Sequence, residues 1–119
     1  MKRTIPALAA LTLALGLAGC SGTTALEDAY ENCEQPKHIS LADEGNTLSI
    51  SGEGKEHNGA TLEDIVCILF ELDTPDRVVT KISSTRALDG TLTDTWDGLK
   101  AEWSYHPNSG LSMVIYRDK

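Results

Sequence analysis

The chain has 119 residues, of which 18 are acidic and 10 are basic, so its net charge is −8 at neutral pH. The basic residues form no cluster after residue 3, which argues against a nucleic-acid-binding patch or a charged patch for anionic lipid headgroups. A chain of this length fits one domain with a modest core.

The first 20 residues have the layout of a secretory signal peptide. Lys2 and Arg3 precede an apolar run over residues 7–18, which is too short to span a bilayer as a stable helix. The run leads into residues 17–20, LAGC, which resemble the lipobox of bacterial lipoproteins. This resemblance implies cleavage before Cys20 and attachment of a diacylglyceryl group there, with N-acylation by a fatty acid such as palmitate as a further step. It therefore predicts a lipid-anchored protein of the cell membrane, facing outside the cytoplasm.

Removal of the leader makes the remaining chain more acidic and changes its cysteine count. Loss of Lys2 and Arg3 leaves 8 basic and 18 acidic residues, a net charge of −10. If Cys20 carries lipid, Cys33 and Cys67 remain, and an even pair in an exported protein predicts a disulfide. Two buried free thiols are the alternative. The predicted organisation is a signal peptide over 1–19, a lipidated cysteine and tether over 20–25, and one domain over 26–119.

The first half of the domain combines a helix with a hairpin. Apolar spacing predicts a short helix over residues 25–33, capped by Thr24 with Glu27 completing a capping box. Alternation of apolar and polar residues predicts two strands, over 37–42 and 47–51, joined by a turn.

The clearest helix in the sequence follows a glycine-containing segment, 51–59, which predicts an exposed loop. This helix covers residues 61–72, with Thr61 as its cap. Helical spacing arranges five large apolar side chains in one stripe: Leu62, Ile65, Val66, Leu69 and Phe70. Cys67 and Ile68 widen this stripe, so we expect much of the helix to be buried.

The second half of the domain predicts another helix and another hairpin. Residues 75–86 begin with a helix-start signal, although their β-branched content leaves a strand as the alternative. Residues 91–98 show no clear pattern, whereas 99–105 and 111–116 alternate as two paired strands. The predicted fold is α+β, with one disulfide: an antiparallel sheet of about four strands, built from two hairpins, covered by two central helices and preceded by a short helix.

A group of aromatic residues near the second hairpin is the candidate binding patch: Trp96, Trp103, Tyr105 and His106. Trp and Tyr are frequent in binding sites. The same alternation, however, also fits Trp103 and Tyr105 as core residues on the buried face of a strand.

No pattern of residues predicts catalysis or a cofactor. His57 lies near Glu53 and Glu56 in a loop, whereas zinc needs three or four rigidly held ligands, so no metal site is predicted. The sequence also contains no nucleophile-elbow or phosphate-loop motif.

The mature domain resembles small lipoproteins of actinobacteria in its cysteine pair, in residues 85–90, in Trp96 and in residues 103–107. This resemblance supplies no activity. The anchor, the acidic charge and the predicted disulfide lead us to expect a non-catalytic domain that binds a protein of the envelope, of a host or of a phage. One alternative is a ligand-binding protein or hydrolase with a cleft near Trp96, Trp103 and His106. Another is a phage or prophage lipoprotein acting in superinfection exclusion, because some phage lipoproteins have that role.

Overall fold

The folded domain begins only a few residues after the predicted anchor. The computed structural model describes residues 22–118, so the predicted signal peptide and the lipid site at Cys20 lie outside the described residues. Helix α1 spans Ala25–Asn32. The Thr24 hydroxyl accepts a hydrogen bond from the Glu27 backbone N–H, and the Glu27 carboxylate accepts one from the Thr24 backbone N–H, both at 3.0 Å. This confirms the predicted capping box, and it places the start of the fold within the segment predicted as a tether.

Five strands form one antiparallel sheet. They are β1 (Ile39–Ala42), β2 (Thr47–Ser51), β3 (Leu92–Trp96), β4 (Leu99–His106) and β5 (Gly110–Arg117). Their order is β1-β2-β5-β4-β3. The β1–β2 and β4–β5 pairs are the two predicted hairpins, and β2 joins them by pairing with β5, where Ile50 stands opposite Met113. The sheet has one strand more than predicted, because β3 pairs along β4. Two short 3-10 helices occupy Asp43–Gly45 and Ala87–Asp89.

The two central helices pack on one side of the sheet. Helix α2 spans Leu62–Glu71, and the hydroxyl of the preceding Thr61 accepts a hydrogen bond from the Asp64 N–H at 3.2 Å. Helix α3 spans Asp76–Ser83, so the predicted helix is confirmed and the strand alternative for this segment is wrong. Pro75 stands just before the helix instead of in its first turn, because its ψ of 152° is extended.

The connection between β2 and α2 is hydrogen-bonded to the β4–β5 turn. The backbone N–H groups of Lys55 and Glu56 donate to the carbonyl oxygens of Pro107 and Asn108, both at 2.9 Å. A Cβ atom at Gly54 would lie 2.5 Å from the Asn108 carbonyl oxygen, so this approach requires glycine. The loop predicted here as merely exposed is therefore attached to the second hairpin.

The core lies between the inner face of the sheet and the helices. Its largest fully buried side chains come from both layers: Leu26, Leu48, Ile68, Val78, Trp103, Met113 and Ile115. The predicted disulfide is present, and it joins Cys33, which follows α1, to Cys67 of α2 with their Cα atoms 6.0 Å apart. The α1 segment is therefore linked covalently to the helical layer.

Side chains from α3 cover the edge of the sheet at β3. Arg77 donates to the carbonyl oxygen of Thr95 at 3.2 Å, and Lys81 donates to that of Thr93 at 3.1 Å. Both cations also contact the carboxylate of Asp94, at 2.7 and 3.4 Å. These bonds occupy backbone acceptors along the edge strand, which limits pairing with another strand.

The same contacts make the pKa of Asp94 differ between the folded and the unfolded chain. The hydrogen bond from Arg77, assisted by one from the Thr95 backbone N–H, lowers the pKa of Asp94 below its ordinary value. The folded pKa is thus below the unfolded value of about 3.9. The ionised carboxylate contributes stability above that pH, and the contribution is lost as the pH falls through the folded pKa.

Candidate functional site

The two tryptophans of the predicted patch are core residues. Trp96 is buried, and its indole N–H donates to the carbonyl oxygen of Leu72 at 3.0 Å. Trp103 is 1% exposed, and its indole N–H donates to the hydroxyl of Thr85 at 2.8 Å. Each indole therefore has a hydrogen-bond partner and connects the sheet to the helical side.

The other two residues of the predicted patch are exposed, but they face different surroundings. Tyr105 is 38% exposed and lines a groove described below. His106 lies at the β4–β5 turn, where its Nδ1 accepts a hydrogen bond from the Asn108 N–H at 3.1 Å. Trp96 and Trp103 do not join them at the surface, so these four side chains form neither the predicted patch nor a cleft between the indoles and His106.

A row of exposed apolar side chains runs along α2. Leu62 is 74% exposed, Val66 is 52% exposed and Phe70 is 79% exposed. We call these three residues the α2 row. The prediction that they are buried with Ile65 and Leu69 is wrong, because α2 turns Ile65 and Leu69 towards the core and leaves the row outside.

An apolar groove lies beside the α2 row, and we call it the α2–α3 groove. Leu62 and Val66 of the row line it, and Phe70 lies outside the lining, one turn further along α2. Its volume is about 570 Å³. Val66 and Leu69 line one side, Val79 and Ile82 of α3 line the other, and Leu111 of β5 also contributes. A groove of this size and lining is typical of binding sites for apolar groups.

The charges near the groove are predominantly acidic. Among the described residues that line it, Glu53 alone carries a charge. In α2, Glu63 lies beside the row, whereas Asp64 and Glu71 lie on the other side of the helix. The cations of α3, Arg77 and Lys81, are paired with Asp94 at the β3 edge. The surface therefore combines exposed apolar area with negative charge, a combination that favours ligands or partners that are apolar and cationic.

The last residue of β2, a serine, also contacts a histidine in the loop that follows. The Ser51 hydroxyl lies 3.1 Å from Nε2 of His57. The neighbouring backbone N–H groups of Gly52, Glu53 and Gly54 all donate to carbonyl oxygens of the chain. Nucleophilic catalysis also needs donors for an oxyanion, and these three groups are already engaged, so we interpret the contact as part of the loop structure.

A second cavity, of about 450 Å³, lies at the start of the fold, where Thr24, Asp73, Asp97 and Arg117 contribute to its lining. Within the part of the chain that the structure describes, no group of three or more His, Cys, Asp or Glu side chains is placed to share a metal ion. This end of the domain offers mixed charge without an assembled ligand set.

Comparison with protein-family models, with curated proteins and with solved structures finds no match for this chain. Over residues 22–118, none of the helices has the length and apolar character needed to cross a membrane. The features of the chain that bear on its function are the α2 row, the α2–α3 groove and the leader sequence.

The α2 row and groove are the candidate functional residues that sequence reasoning missed. The signal available was the helical spacing of Leu62, Val66 and Phe70. A buried helix face has the same spacing. The sequence alone therefore does not show whether these three side chains are buried or exposed.

Proposed function

We propose that this chain is an exported lipoprotein, anchored through Cys20, whose acidic domain binds another protein through the α2 row and the α2–α3 groove. The observation that carries the binding proposal is the exposure of Leu62, Val66 and Phe70 beside an apolar groove. Exposed apolar side chains grouped in this way mark interaction sites on small domains. In this proposal the domain acts as a non-catalytic interaction module at the outer side of the cell membrane.

The anchoring proposal draws its support from the leader and from the start of the fold. Thr23 donates a hydrogen bond to Asp28, and the Thr24 hydroxyl donates to the carbonyl oxygen of Gly45 at 2.6 Å. Only two residues separate Cys20 from Thr23, a reach of roughly 10 Å at full extension. A lipid on Cys20 would thus hold the domain close to the membrane surface, where its partner would have to be accessible.

The α2 row can supply much of the binding free energy. Burial of a large apolar side chain contributes about 1.5–3 kcal/mol, and a few such residues usually dominate an interface. Phe70 has the largest exposed fraction of the three residues, and it is the only phenylalanine of the chain. We therefore expect Phe70 to contribute most to partner binding.

The anchor is tested by Cys20→Ser. We expect this variant to leave the membrane fraction, because an unmodified serine cannot carry the thioether-linked lipid. Fractionation of cells producing the full chain, followed by mass spectrometry of the N-terminal peptide, measures both location and modification. Ser21→Ala is the matched control and should remain membrane-bound. Membrane association of Cys20→Ser equal to that of the unaltered chain would contradict the anchoring proposal.

The binding surface is tested by Phe70→Ser. We expect it to reduce co-purification of the partner from solubilised envelopes by at least roughly tenfold, the equivalent of about 1.4 kcal/mol. Its free energy of unfolding should change by no more than about 0.5 kcal/mol, because the side chain is exposed. Leu88→Ser is the matched control, since Leu88 is 90% exposed and belongs neither to the α2 row nor to the groove lining. Equal capture by the unaltered chain and by Phe70→Ser would refute the assignment of this surface.

A further inference from the structure

We infer that the occupant of the α2–α3 groove is a cationic amphipathic helix of another protein. This inference rests on the proposed function, and it adds the chemistry of the partner. The spacing of the α2 row, the acidic charge of Glu63 beside it and the position of Glu53 support it.

The spacing of the α2 row fits a helix lying alongside α2. Leu62, Val66 and Phe70 are four residues apart, so they stand about 6 Å apart along the helix axis and span about 12 Å. A partner helix repeats apolar side chains with the same rise, and its ridge can therefore enter the groove between α2 and α3. The groove volume of about 570 Å³ admits several such side chains.

The charge of α2 disfavours a second copy of this chain as the occupant. Glu63 follows Leu62 and lies beside the α2 row in a helix that has no basic residue, whereas Glu71 faces α1, where it accepts a hydrogen bond from the Asn32 amide at 2.9 Å. Two α2 helices packed through their rows would bring the two Glu63 carboxylates together without a cation from either helix. Like charges at an interface cost several kcal/mol, whereas lysine or arginine on a partner helix would be attracted to the same carboxylates.

The same charge disfavours the membrane surface as the occupant. Helices that lie in a bilayer interface combine their apolar face with lysine and arginine, which bind anionic headgroups. Helix α2 has the apolar face but carries only acidic charges. The α2 row is thus suited to a cationic protein surface and not to an anionic lipid surface.

Glu53 provides a charge within the groove itself. Its backbone is held in place because its N–H donates to the carbonyl oxygen of Ala60 at 3.1 Å. The other described residues of the groove lining are uncharged. A basic side chain on the partner helix, next to its apolar ridge, would therefore find its counter-charge at Glu53.

The inference is tested with the full chain purified from membranes and placed in nanodiscs of zwitterionic phosphatidylcholine. The probes are two 16-residue helical peptides with the same leucines at i, i+4 and i+8, one flanked by four lysines and the other by four glutamates. A displayed library of amphipathic helices with both kinds of flank and varied apolar positions extends the probe set. Binding is measured by fluorescence anisotropy at two salt concentrations.

We expect the lysine-flanked peptides to bind at least tenfold more tightly than the glutamate-flanked ones, and more weakly at high salt. Phe70→Ser should weaken that binding at least tenfold, and Glu53→Gln combined with Glu63→Gln should weaken it severalfold. Leu88→Ser and Asp118→Asn are the matched apolar and charge controls, and both should bind as the unaltered chain does.

Three results would overturn the inference. The first is equal binding of both peptide classes, or no enrichment of any lysine-flanked helix from the library. The second is a dimer of this chain that Phe70→Ser dissociates. The third is Phe70-dependent binding to vesicles containing phosphatidylglycerol. In each case, loss of partner capture by Phe70→Ser in envelopes would still support the proposed protein-binding function, so the two failures are distinguishable.

Discussion

Replacement of Cys33 and Cys67 together by serine is expected to lower the free energy of unfolding by about 3–4 kcal/mol. The bond closes a loop between residues 34 positions apart, and the loop-entropy estimate for that length gives this value. The effect is large because a domain of this size has a total stability of only about 5–15 kcal/mol. The melting temperature should fall by roughly 15–25 °C.

Thermal and urea unfolding of the full chain measure this effect, and reduction provides the control. The unaltered chain treated with a reductant should unfold like the Cys33→Ser/Cys67→Ser variant, because both lack the same link. Mass spectrometry without reduction should find the peptides that contain Cys33 and Cys67 joined. A double variant within 1 kcal/mol of the unaltered chain would show that the link between α1 and α2 adds little to stability.

Replacement of Trp103 by alanine is expected to cost about 3–5 kcal/mol. Trp103 is fully buried in β4, where it stands opposite Leu92 of β3 and Met113 of β5. Alanine leaves a cavity among these neighbours, and it also leaves the hydroxyl of Thr85 without its indole donor. Trp103→Phe keeps most of the volume and should cost about 1–3 kcal/mol, chiefly through the lost hydrogen bond.

Tyr105→Ala is the matched control for Trp103→Ala, because it removes an aromatic side chain from the same strand. Tyr105 is partly exposed at the groove, so its removal should cost about 1 kcal/mol or less. Equilibrium urea unfolding of the three variants separates these values. Equal losses for Trp103→Ala and Tyr105→Ala would contradict the assignment of Trp103 to the core.

The elements of this fold could be predicted where their signals are local. Thr24 and Thr61 precede their helices by one residue, and each cap bond links residues three apart. Strict alternation over residues 99–105 likewise reports one buried face of a strand. These signals need no knowledge of the rest of the chain, and the structure confirms all three elements.

The orientation of α2 could not be predicted because its sequence contains two apolar stripes. Ile65, Ile68 and Leu69 have helical spacing and are buried, while Leu62, Val66 and Phe70 have helical spacing and are exposed. The core and the bond from Cys67 to Cys33 select the first stripe, and that bond joins residues 34 positions apart. A local pattern does not contain this information.

The fifth strand and the hydrogen-bond partners of the tryptophans also depend on contacts between residues that are far apart in the sequence. Residues 92–96 are largely polar, and they become a strand by pairing with β4 while Arg77 and Lys81 occupy acceptors at their edge. The indole of Trp96 finds its acceptor 24 positions away, and that of Trp103 finds its partner 18 positions away. The sequence therefore identified both indoles as important without separating a core role from a binding role.

We propose that the α2 row is a protein-binding surface at the cell envelope. Site-specific photocrosslinking in living cells tests it most directly, with benzoylphenylalanine incorporated at position 70 or at the control position 88 of the full chain. We expect a defined crosslinked partner from position 70 and none of that product from position 88. Absence of a crosslinked protein at position 70, or the same set of products from both positions, would contradict the claim.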